Sequence, residues 1–182
     1  MTAEIEVKYQ VADVEGLLAA IREHGIALSE PVEQDDQAYA PIGWQFGDAR
    51  IGVTFVRLRR QGGRCVFTTK TPVDNVLACV EHETEVSDAT AMHAAILAMG
   101  YQPTVKVVKT RRTGRVGAWS VCLDAVVGAG AFFEVEAVAE DADGMLQVQA
   151  QMDAWVQGLG VPVERTGATY DEVVSRSAVA AS

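Results

Sequence analysis

Histidine and cysteine are scarce in this chain, with three of each among 182 residues. Cys65, Cys79 and Cys122 are scattered and form no CxxC pair. His24, His82 and His93 have no metal-ligand spacing with one another or with a cysteine. That excludes the common zinc patterns and reads each histidine as structural or surface. An odd number of dispersed cysteines also gives no disulfide framework, so they read as reduced core thiols of a cytoplasmic protein. No run of 18 apolar residues exists, which excludes a membrane-spanning helix. The opening "MTAEIEVKYQ" lacks an apolar h-region and is not a secretory signal. Neither GxxxxGK[ST] nor GxSxG occurs, which removes a P-loop and a nucleophile elbow. Basic residues are in the minority, 15 Lys and Arg against 25 Asp and Glu. The net charge of −10 argues against non-specific nucleic-acid binding.

What is present is alternation. In "EIEVK", Glu4, Glu6 and Lys8 fall on one face of a strand, with Ile5, Val7 and Tyr9 on the other. Asp13 is placed to cap a helix that ends at Gly25. A turn-rich loop, "LSEPVEQDDQ", precedes a short strand near "QAYAP", and a long connection, "GWQFGDARIG", follows. "VTFVRLRR" and "RCVFTTKT" flank glycines and predict a hairpin. "EHETEV" then repeats the alternating glutamates, placing Glu81, Glu83 and Glu85 in one row. Ser87 is expected to cap a second helix that ends at Gly100, before the basic strand "VKVVKTRR" and two further strands, "AWSVCLDAV" and "AFFEVEAVA".

The order of acidic strand, helix, basic strand and closing strand thus occurs twice, over about residues 3–86 and 79–139. A last long helix carries Met145, Val148, Met152, Trp155 and Leu159 on one stripe. Met145, Met152 and Trp155 read as core, and Trp44 as packing more readily than as a ligand contact. The expectation is one α+β domain over residues 1–182, two pseudo-repeated halves plus C-terminal helices. Its centre is an eight-stranded antiparallel β-barrel with helices outside.

Parity assigns the charges. Arg57 and Arg59 share a face, as do Lys109 and Arg111, and Glu134 and Glu136; Asp124 lies with Cys122 and Ser120. If the helices cover the apolar faces, the charged faces turn inward. Glutamates gathered there call for a hard divalent cation, and the lysines and arginines call for phosphate oxygens. That combination describes a site for a metal and a triphosphate.

These motifs resemble the CYTH superfamily of triphosphate-tunnel enzymes, which includes class IV adenylyl cyclases of the CyaB type and thiamine triphosphatase. The resemblance runs from ExExK at Glu4, Glu6 and Lys8 through "DDQAY" with Tyr39, "RLR", the lysine of "TTK", "HETEV", "VVKTRR" and "CLDAVVGAGAFFEVE" to "TYDEVV". It implies that Glu4, Glu6, Glu134 and Glu136 hold Mg²⁺ or Mn²⁺. Lys8, Arg57, Arg59, Lys70, Lys109 and Arg111 would grip the triphosphate. Lys8, Arg57, Lys109 and Asp124 would serve catalysis, Asp124 as a metal ligand, as a group supporting the ligands, or by helping to activate the nucleophile. Arg111 and Arg112 have opposite parity, and which of them faces inward is open at this point. The implied activity is closest to the cyclase, converting ATP to cyclic AMP and pyrophosphate. Hydrolysis of inorganic triphosphate, a nucleoside triphosphate or thiamine triphosphate is the alternative, and a non-catalytic polyphosphate sensor the third reading. The expected partner is a triphosphate-containing small molecule such as ATP, with no nucleic acid and no membrane; homodimer formation is left open.

Overall fold

A computed structural model describes residues 3–139 and 142–180. Among them, nine strands and four helices follow the order β1 (Ala3–Val11), α1 (Val14–Glu23), β2 (Val32–Pro41), β3 (Phe55–Gln61), β4 (Arg64–Pro72), β5 (Ala78–Val86), α2 (Ala89–Ala98), β6 (Tyr101–Val116), β7 (Trp119–Val126), β8 (Gly130–Ala139), α3 (Ala142–Gly158), β9 (Val163–Thr166) and α4 (Tyr170–Ala180). The strand order is β5-β4-β3-β2-β6-β7-β8-β1-β9, and β5 also pairs with β1. Strands β1 to β8 therefore close into an antiparallel barrel, with β9 added outside the ring on β1. The closing seam is narrow. Glu4 pairs with Cys79 and Ile5 with Ala78, and the Glu6 amide donates to the Leu77 carbonyl at 2.9 Å.

Alternation in β1 separates two environments. Ile5, Val7 and Tyr9 are fully buried on the outer face, against Leu17 and Ile21 of α1 and Met145, Met152 and Val156 of α3. That places oily surface beneath the helices and leaves Glu4, Glu6 and Lys8 pointing into the barrel. Trp155 packs on Phe133 and Trp119 at ring-centroid distances of 6.3 Å, as its stripe predicts. A second cluster holds Tyr39, Val56 and Leu58 under Ile96 of α2. There the Tyr39 hydroxyl bonds His93 Nδ1 at 2.7 Å, so that histidine is structural.

Two boundaries differ from the sequence reading. Strand β2 begins at Val32, so six of the ten residues read as a loop are strand. Its inward positions are the polar Gln34 and Asp36, both buried, and an inward polar face hides the usual apolar alternation. Helix α2 is capped by Asp88 rather than Ser87: the Asp88 carboxylate accepts from the Thr90 and Ala91 amides at 2.9 Å. Asp88→Ala is expected to cost about 1 kcal/mol of stability, the scale of a lost N-cap, whereas Ser87→Ala should be neutral by denaturant titration.

Gly62 and Gly63 close the β3–β4 hairpin with φ of 55° and 79°, the left-handed pair that a two-residue turn of matching twist requires. Gly114 answers a different need. A Cβ there would lie 2.9 Å from the Ala27 carbonyl oxygen, because the chain leaving α1 crosses directly over β6.

Candidate active site

The inward rows of the strands meet in a cavity of about 320 Å³. It receives Glu4, Glu6 and Lys8 from β1, Asp36 from β2, Arg57 and Arg59 from β3, Lys70 from β4, and Glu81 and Glu83 from β5. Strand β6 contributes Lys109 and Arg111, and β8 contributes Glu134 and Glu136. Thr169, Tyr170 and Asp171 at the start of α4 also line it, as does Arg50 from the long β2–β3 connection.

The carboxylates gather unevenly. Glu6, Glu134 and Glu136 offer oxygens within 4.8 Å of one another. Glu4 stands apart from that trio, on the side of Glu81 and Lys70. Burial pushes the Glu136 carboxyl up to about 8; Arg111 opposes this, while Glu134 and Glu6 add to it. Burial and the nearby Glu81 likewise raise Glu4. Burial would raise Glu134 as well, but Lys8, Arg111 and Lys109 outweigh it and hold that carboxyl well below its ordinary range. Lys8 Nζ sits 2.9 Å from Glu6 and 3.2 Å from Glu134. Three converging, mostly buried carboxylates, one driven toward its protonated form, make a donor set that suits a hard divalent cation.

Asp124 is fully buried and acts as a hub. Its oxygens accept from Lys109 Nζ at 2.9 Å, Arg111 Nε at 2.8 Å and Nη2 at 2.6 Å, and the Tyr170 hydroxyl at 2.8 Å. The Tyr170 ring lies 4.3 Å from Lys8 Nζ and 4.4 Å from Lys109 Nζ, and its edge packs on Phe132. With Val173 and Val174 it rests on the inward-facing Val107, Val126 and Phe132, so α4 packs against the interior. Burial and the neighbouring Arg111 push Lys109 down to about 8, Asp124 and Glu134 acting the other way.

The remaining cations are paired with carboxylates of the tunnel wall. Arg59 forks onto Asp36 with two bonds of 2.7 Å. Arg57 donates to Thr68 at 3.0 Å and Glu83 at 3.3 Å, and Lys70 donates to Glu81. Arg111 is the inward member of its pair, bonding Glu134 and Glu136. Arg112 turns outward and donates to the Ser29 carbonyl.

The structure thus brings every sequence-predicted site residue to the cavity or its wall. Glu4 stands outside the tight carboxylate trio, and Asp124 sits behind Lys109 and Arg111. Sequence reasoning missed Asp36, which lay in the presumed loop, and Arg50, which lay in a connection without periodicity. It also gave no role to Tyr170, Glu81 or Glu83, although the glutamate row was visible. Trp44 is buried against Phe55, at a centroid distance of 5.0 Å, and does not line the cavity.

The interior of this closed antiparallel barrel sets a carboxylate trio beside rows of lysine and arginine. The chain belongs to the CYTH domain family, whose model matches residues 2–169. Its fold is shared by the PH1819 protein from Pyrococcus horikoshii OT3, with TM-score 0.80 and 22% identity over 95% of this chain and 98% of that one. A putative adenylate cyclase from Vibrio parahaemolyticus has TM-score 0.77 and 20% identity over 94% and 97% of the two chains. HpAC1 from Hippeastrum, a putative adenylyl cyclase described as having a dominant triphosphatase activity, has TM-score 0.64 and 14% identity over 97% and 96%. No curated protein sequence matches the chain. Among the described residues, no helix is long and apolar enough to cross a membrane.

Proposed function

We propose that this protein is a divalent-metal-dependent enzyme that cleaves a triphosphate held inside the tunnel, with water as the nucleophile. The observation that carries the reading is the carboxylate trio Glu6, Glu134 and Glu136 beside the cation rows. These three would hold Mg²⁺ or Mn²⁺, with Glu4 two residues before Glu6 on β1. Bound there, the ion supplies neutralisation of phosphate charge and orientation of the reacting groups.

The chain's own residues do the rest. Arg57, Arg59 and Lys70 line one side and Lys109 and Arg111 the other, so phosphate oxygens exchange places with Asp36, Glu83 and Glu81 as partners of the cations. Positioning and electrostatic neutralisation are most of what phosphoryl transfer needs from a protein. Asp124 and Tyr170 fix Lys109 and Arg111 in direction. Lys109, whose ammonium is made more acidic by burial and by the neighbouring Arg111, can pass a proton to the departing phosphate oxygen.

Hydrolysis is favoured over cyclisation because both aromatic rings of the described lining, Phe55 and Tyr170, already carry cations. Phe55 is covered by Arg50, and Tyr170 is covered by two lysines. Cyclisation of ATP is the second reading. Pro72, Val76 and Leu77 line the same cavity and give apolar surface that a purine could rest on, and the Vibrio neighbour carries the cyclase description. Incubation with inorganic triphosphate and with ATP, each with Mg²⁺ or Mn²⁺, separates the two. Orthophosphate release, lost on chelation, is the expected result. Cyclic AMP and pyrophosphate would establish the second reading, and saturable binding without turnover of either substrate would overturn both.

A further inference from the structure

We infer that Arg50 is a substrate-contacting residue that extends the cation track by one position toward α4 and receives the end phosphate of the chain nearest that helix. This rests on the triphosphate reading above and adds a residue from outside the barrel strands.

The inward row of β3 reads Arg59, Arg57, Phe55, so the charge stops at Phe55. Arg50 restores it. Its guanidinium carbon lies 4.3 Å from the Phe55 ring centroid and 5.3 Å from that of Trp44. Phe55 in turn is the cross-strand partner of Lys70. Arg50 is thus stacked in place beside the existing cations and lines the same cavity. A guanidinium held flat on a ring presents its fork in a fixed plane, which suits two-point contact with a phosphate.

Two of its three nitrogens have unspent donors. The side chain is nine-tenths buried. Nη2 donates to Asp171 Oδ2 at 3.1 Å. Nη1 is 3.5 Å from Glu172 Oε1, an ion pair without a hydrogen bond. Nε and Nη1 are buried without an acceptor, and so are Arg57 Nε and the Thr169 hydroxyl, which also belong to cavity-lining residues. Buried donors left unpaired are costly. Here they point to where an anion completes the set, between the β3 row and the first turn of α4.

Asp171 and Glu172 also tie Arg50 to α4, so a purely architectural role would make it a clasp between the β2–β3 connection and that helix. The two roles predict opposite outcomes. Titration calorimetry with metal-free inorganic triphosphate reads binding without turnover. Arg50→Gln should weaken the affinity about 10- to 100-fold, the scale of lost hydrogen bonds to a charged group, and Arg50→Lys should fall between. The Asp171→Asn/Glu172→Gln double variant removes competitors for the guanidinium and should bind as tightly as wild type or more so. Equal weakening in Arg50→Gln and the double variant, with matching losses of melting temperature, would make Arg50 a clasp and overturn the proposal. Wild-type affinity in Arg50→Gln would also overturn it, with the triphosphate reading intact if Arg59→Gln binds weakly. A wild-type protein that binds no triphosphate, either metal-free or with Mg²⁺, removes both.

Discussion

Glu134→Gln is expected to turn over triphosphate about 10²- to 10³-fold more slowly than wild type, the scale of removing one group that acts on transition-state charge, while the protein remains folded. Glu134 is almost fully buried, and its carboxyl is held ionised by Lys8, Arg111 and Lys109. The substitution keeps the side chain's shape and deletes the charge at the centre of the carboxylate trio. The cations it leaves behind retain other partners: Lys8 keeps Glu6, and Arg111 keeps Asp124 and Glu136. Activity and affinity for Mn²⁺ should therefore fall together, with little change in circular dichroism or melting temperature. A Glu134→Gln protein with wild-type turnover would remove this carboxylate from the metal assignment.

Asp124→Ala should instead damage the fold. It deletes the shared acceptor of Lys109, Arg111 and Tyr170 in a site with no solvent exposure. Breaking a buried pair by removing one partner costs about 3–5 kcal/mol. For a chain of this length that corresponds to a fall of roughly 6–20 °C in melting temperature. The damage should reach α4 first, because the Tyr170 hydroxyl loses its anchor. Hydrogen exchange should show amides around residues 170–177 losing protection ahead of the β1–β8 pairing. Asp124→Asn retains an acceptor for Tyr170 and should be milder. A variant melting within a degree of wild type would show that Asp124 is dispensable to the barrel.

The barrel was legible because each strand keeps two chemistries on opposite faces. Period-2 alternation of Glu4, Ile5, Glu6, Val7 and Lys8 fixes which side is covered by helices and which lines the cavity. The same parity left Arg111 and Arg112 undecided, since both are arginine; the crossing of the chain at Ser29, which captures Arg112, settled it. Asp36 was hidden because a strand with Gln34 and Asp36 inward and charge outward mimics a loop. Arg50 and Tyr170 reach the cavity through packing of non-strand segments, a tertiary relation that no local period encodes. The unequal grouping of Glu4 and Glu6 follows from the stagger of β1 against β5 and β8, which depends on how the ring closes.

The seam between β1 and β5 bears on how this protein emerges from the ribosome. Strand β1 is made first, yet its partners are residues 78–79, 131–139 and 163–166. Ile5, Val7 and Tyr9 must wait for most of the chain to be synthesised before they find their neighbours. The meander β2 to β4 can zip up locally during that interval, whereas sealing the cylinder is a late, long-range event. The leading strand is therefore the segment most in need of protection while the nascent chain is incomplete.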